Sequence, residues 1–241
     1  MLKDLPFYLI IAFVLTTFVA VGMIVLLIKT SSKSMRSESV HGIVFSISFF
    51  LIIQALLSYW GIYKNDPDSI PPKIIILAVI PAAIAIILIF NTQKGKLFID
   101  SLSLPMLTYI HFIRVPVELV LYGLFINGAV PELMTFEGRN IDILAGLTAP
   151  LVGFDISKGK MRKASLLVWN FICLGLLLNI VVNAVLSAPS PFQQFGFDQP
   201  NVAILNFPFS WLPAFIAPLV LFAHLAAIRK LTTVSSGNIT S

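Results

Sequence analysis

The stretch IDILAGLTAPLVGFDI, residues 141–156, decides how many times this chain could cross a membrane. It is apolar enough for lipid but shorter than the roughly 20 residues that a straight crossing helix needs. Gly146 and Pro150 weaken it further as an isolated helix. If it crosses, the chain has seven spans. If it is re-entrant, going in and coming back out on one side, the chain has six and every later loop changes sides.

The sequence on either side supplies the context. Of 241 residues, 58% are hydrophobic and 11% are charged, and mean hydropathy is +0.95. Soluble domains are about one quarter charged, so the composition is that of an integral membrane protein forming a single transmembrane domain over residues 1–241. Apolar runs fall at about 6–28, 42–63, 72–90, 104–126, 141–156, 164–187 and 207–228. The first exceeds the usual apolar length of a signal peptide and no small-residue cleavage pattern follows it, so it reads as a retained span.

Charge selects between six and seven spans. With all seven runs crossing, one side collects Lys29, Lys33, Arg36, Lys94, Lys96, Lys158, Lys160, Arg162, Lys163, Arg229 and Lys230. The other keeps Lys3, Lys64, Lys73 and Arg139 with the acids Asp4, Asp66, Asp68, Glu132, Glu137, Asp142 and Asp198. The positive-inside rule then makes the first side cytoplasmic, the amino terminus outside and the carboxyl terminus inside. Removing the fifth span would throw SKGKMRK, residues 157–163, to the wrong side. The expectation is therefore an all-α polytopic protein of seven transmembrane helices, located in a bacterial inner (cytoplasmic) membrane. The pI of about 9.4 follows from this topology and implies no nucleic acid partner. Asn238 opens a glycosylation-type NIT, but on the cytoplasmic side. The lone Cys173 reads as a buried structural thiol.

Within the fourth run, HFIRVPVELVLYG, residues 111–123, places ionisable groups at bilayer depth. At 100° per residue His111, Arg114, Glu118 and Tyr122 fall within an arc of about 80°. A charge there costs about 3 kcal/mol by insertion scales, so the stripe should face the bundle interior, toward the sixth or seventh span. Arg114 and Glu118 are four apart and can pair within the helix. Pro116 removes a backbone donor, which predicts a kink.

Other polar groups form a second tier. Glu137, Arg139 and Asp142 cluster at the outer mouth, either as a solvated turn in which Asn140 caps the fifth helix or as a gate. Gln54, Asn179, Asn183 and His224 are secondary cavity candidates, or amides and an imidazole bonded across helices. Gly146, Thr148, Ala149 and Gly153 read as packing positions. Depths estimated at 1.5 Å per residue separate His41, His111 and His224, and no HxxxH or HExxH spacing occurs, so no metal site is expected. The segment at 188–213, rich in Pro, Phe and Trp, reads as an interfacial aromatic belt or a lid.

Several functions are excluded by what the sequence lacks. The last span has no lysine for a retinal Schiff base, no GxxxxGK[ST] loop binds ATP, and no nucleophile lies beside a base. The leading expectation is a protein that binds or moves a small solute or protons through the stripe, with the bilayer as its first partner. The alternatives are a non-transporting sensor or assembly module with a structural Arg–Glu pair, joined to a cytoplasmic protein or a second copy, and a cofactor-dependent membrane enzyme whose cofactor is unknown.

Overall fold

A computed structural model describes residues 5–31, 38–65 and 67–233. Lys3, Asp4, Lys33, Arg36, Asp66 and Asn238 lie outside the described residues. Among those described, the chain is all helical. In chain order come α1 (Phe7–Lys29), α2 (Glu38–Tyr59), a π turn (Ile75–Val79) leading into α3 (Ile80–Asn91), and α4 (Gln93–Ser101). Next, α5 (Leu104–Tyr109) passes through a 3-10 turn (Ile110–Ile113) into α6 (Arg114–Ile126). Then follow α7 (Ile143–Ser157), α8 (Lys163–Ser187), a second π turn (Leu212–Ile216) and α9 (Ala217–Thr233).

Five of the described helical segments are long and apolar enough to cross a membrane: Phe7–Lys29, Val40–Tyr59, Leu104–Ile126, Lys163–Ser187 and Leu212–Thr233. A sixth arises if the bent pair Ile75–Asn91 and Gln93–Ser101 is one span. That pair turns through 87° at Thr92, whose extended backbone ends α3 and whose Oγ1 accepts the Gly95 N–H to cap α4. Gly95 is required because a Cβ there would run into the Ile89 carbonyl. The third run is thus shorter and more abruptly ended than its hydropathy implied. The fifth run forms one helix of 15 residues, about 22 Å long at 1.5 Å per residue.

The segment from Leu104 to Ile126 is the centre of the bundle, with 56% of its most apolar window buried, whereas α2 is peripheral at 11%. Helix α1 packs on α2 and α6, α9 packs on α8, α5 and α3, and α7 packs on α5, the 3-10 turn and α6. Two glycines make the last contact close. A Cβ on Gly146 would lie 2.8 Å from Val115 Cγ2 and 3.0 Å from the Val115 backbone nitrogen, and one on Gly153 would meet the Tyr109 ring at 2.6 Å. Small residues let helices approach in this way, so the packing reading of this stretch holds for both glycines.

The segment after α8 is tied down. Gln199 Nε2 donates to the carbonyls of Phe125 and Val130 at the end of α6, and the N–H groups of Val202 and Ala203 donate to Ala129. Of its aromatic rings, Phe197 is exposed while Phe209 and Trp211 are buried. The segment is therefore a fixed cap over α6 with part of its aromatic surface turned outward.

Candidate functional site

The site begins with the irregular backbone ahead of α6. Pro116 cannot donate, and the chain before it tightens into the 3-10 turn Ile110–Ile113 rather than breaking. In a 3-10 helix residues i and i+3 eclipse, which lines His111 up with Arg114 on one inner face. Both are buried, with 0% and 3% exposure.

Arg114 is held by three helices. Nη1 donates to Asp142 Oδ1 at 2.7 Å and to the Cys173 carbonyl in α8 at 3.2 Å, and Nη2 donates to His224 Nε2 in α9 at 2.8 Å. The stripe thus faces both of the expected partners. Its ion pair, however, is with Asp142 rather than Glu118. The His224 ring is fixed as the neutral tautomer carrying its proton on Nδ1, because guanidinium can only donate to Nε2 and Nδ1 lies 2.9 Å from Asn170 Oδ1.

Glu118 has a different partner. Asn140 Nδ2 donates to both carboxylate oxygens at 2.7 Å and to the Met134 carbonyl at 3.0 Å, while its Oδ1 accepts the Asp142 N–H at 3.1 Å. Asn140 therefore joins the loop ahead of α7 to α6; it does not cap α7 as expected, because the N-cap is Asp142 and has no side-chain cap. The outer cluster splits. Asp142 is buried in the floor of the site, whereas Glu137 and Arg139 are exposed, Arg139 over the Phe195 ring at 5.2 Å. Tyr122 belongs to this outer group, stacked on Phe136 at 4.9 Å.

The depth estimate that separated the histidines is corrected. The rings of His111 and His224 stack at 3.9 Å between centroids, with Trp169 edge-on to His111 at 5.4 Å. A depth difference of about 3 Å, two residues of rise, is within the reach of an imidazole. Among the described residues neither His111 nitrogen has a partner, and neither does Arg114 Nε. No group of three or more His, Cys, Asp or Glu among them is arranged to hold a metal ion.

Arg114, Glu118 and Asp142 open on a cavity of about 450 Å³, within the range of small-molecule sites. Its walls are apolar and come from α3 (Ala83, Ile86), α8 (Leu177, Val181, Ala184) and α9 (Pro218, Leu221) with the π turns that precede α3 (Ile75, Val79) and α9 (Leu212, Ile216). The remaining candidates sit elsewhere. Gln54 is bonded to Tyr63 and, at 2.9 Å, to the Leu77 carbonyl, tying α2 to the first π turn. Asn183 donates to Asn179 at 3.3 Å and Asn179 to the Arg139 carbonyl at 2.9 Å, so these amides fasten α8 to the outer loop.

The fold and the site define a class: an all-helical bundle with several helices able to cross a membrane and a buried ionic cluster at the floor of an apolar cavity. The chain belongs to the family described as Domain of unknown function (DUF8737), which it matches over residues 71–232. That region leaves out α1 and α2 and contains Arg114, Glu118, Asn140, Asp142, Asn170 and His224. No curated protein and no solved structure matches the chain.

Proposed function

We propose that this is a seven-span protein of a bacterial cytoplasmic membrane that binds and moves a small solute or protons at Arg114, Asp142 and Glu118. The observation that carries the reading is that the buried ionic cluster lines a cavity. A pair kept only to clamp helices needs no open volume beside it, whereas desolvating its ions costs several kcal/mol each, a cost that water or a polar solute in the cavity would offset. The seven crossings and the outside amino terminus rest on charge: Lys158, Lys160, Arg162 and Lys163 follow α7, and Glu132, Glu137 and Asp142 precede it.

Arg114 is then the fixed positive charge, Asp142 its partner, and Glu118 the group that exchanges a proton or a solute charge. Reconstituted vesicles with an imposed pH gradient and a trapped pH dye test this. The wild type is expected to dissipate the gradient faster than empty vesicles, and Glu118→Gln, folded but unable to ionise, is expected to lose that flux. Equal flux in the two would remove Glu118 from the path. The second reading, a sensor or assembly module, is favoured by the buried ion pair of Asp142 with Arg114.

A further inference from the structure

We infer that the cavity takes a membrane-dissolved amphiphile with a cationic head, its ammonium seated at Glu118 and its apolar body lying between α3 and α8. The inference rests on the reading of the ionic cluster as a ligand site and names the ligand's chemistry.

The position of the opening gives the route. Leu178, Val181 and Val185 of α8 line the cavity and are also exposed, by 50%, 38% and 36%. Helix α3 forms the opposite wall, and its own neighbours are α4, the first π turn and α9. Around the gap the outward surface is Ile84, Ile87 and Leu88 on α3 and Val182 on α8, each at least half exposed. An apolar slot bordered by apolar outward surface is reached from lipid.

Hydrogen-bonding capacity gives the head group. Both Arg114 Nη1 bonds are made, to Asp142 and the Cys173 carbonyl, and Nη2 is engaged by His224; the unpartnered Nε is itself buried, and the guanidinium charge is already paired with Asp142. The Glu118 oxygens among the described residues share one donor atom, Asn140 Nδ2. A carboxylate has about four acceptor sites, so the floor offers acceptors rather than donors. On the floor two carboxylates face one guanidinium and His224 is held neutral, which favours a cation beside Glu118; the other charged residue lining the cavity, Lys73, donates to the Asn65 carbonyl.

The test uses chain-matched probes. Radiolabelled dodecylammonium, dodecanol and dodecanoate are equilibrated with the full-length protein in phosphatidylcholine nanodiscs, and retention is measured above empty discs. Wild type is expected to retain dodecylammonium about tenfold or more over the other two, as one charge-assisted bond implies. Glu118→Gln should lose that preference, and Ala184→Trp, which fills the slot away from the charges, should lose retention altogether. A preference for dodecanol or dodecanoate that Ala184→Trp still abolishes overturns the cationic class and leaves the ligand site standing. Retention of no probe above empty discs, or retention indifferent to Ala184→Trp, overturns both the class and the ligand site, and vesicle flux then decides proton passage alone.

Discussion

Arg114 and Asp142 meet at 2.7 Å with their side chains 3% and 5% exposed, and this geometry separates the roles of the two acids on the cavity floor. Removing one partner of a buried pair leaves an uncompensated charge, so Asp142→Asn is expected to cost about 3–5 kcal/mol of stability. Glu118→Gln keeps an amide oxygen for Asn140 and should cost about 1 kcal/mol or less. Thermal unfolding of both variants in one detergent checks this; equal losses would mean that Glu118 shares the structural duty. At this scale the stripe itself was legible, because His111, Arg114 and Glu118 interrupt an apolar run and fall on one helical face. Asp142 was misplaced at the surface because it stands in a polar loop. The signal that would have moved it inward is the length of the run it precedes: a helix of 15 residues is about 8 Å shorter than a 30 Å hydrocarbon core, so under the proposed crossing its ends would lie deeper than those of longer neighbours. Arg114 and Glu118 satisfy the four-residue spacing rule, yet the rule cannot weigh a better partner 28 positions away in sequence.

Helix α7 carries Asp142 to Arg114 by lying unusually close to the start of α6, and Gly146 is the residue that allows it. Gly146→Ala would press its Cβ against Val115 at 2.8 Å and against backbone at 3.0 Å, an overpacking expected to cost about 1–3 kcal/mol and to loosen the ion pair. Gly175→Ala in α8, where nothing lies within 4 Å of the added carbon, should instead stabilise by about 0.5–1 kcal/mol. Melting temperatures moving in opposite directions would support the close contact; a neutral Gly146→Ala would refute it. Hydropathy located every apolar run, since burial in lipid or protein demands the same side chains. It could not show the two π turns, or the right angle at Thr92, because these depend on local backbone bonds and on contacts with α2 and α9. The histidine contact was hidden for a related reason: depth counted along separate helices omits how closely they pack.

Across the whole molecule, the charge pattern ties the orientation to the crossing of α7. In a Cys173→Ser background, a cysteine at Glu137 should react with an impermeant thiol reagent only from outside intact cells, and one at Lys160 only in inverted membranes. Labelling of both from one side would make α7 re-entrant and reduce the count of spans. The family match begins at residue 71, so the ionic floor and the helices that frame the cavity fall within the matched region, while α1, α2 and the lining residues Tyr63, Pro67 and Ser69 precede it. The central claim is that this floor is a ligand site rather than a clamp. The most direct test is native mass spectrometry of the protein extracted gently from its own membranes, wild type beside Glu118→Gln. The account predicts a discrete bound mass on the wild type that is absent from an equally folded Glu118→Gln. Identical spectra carrying only protein and bulk lipid, with or without the carboxylate, would contradict it.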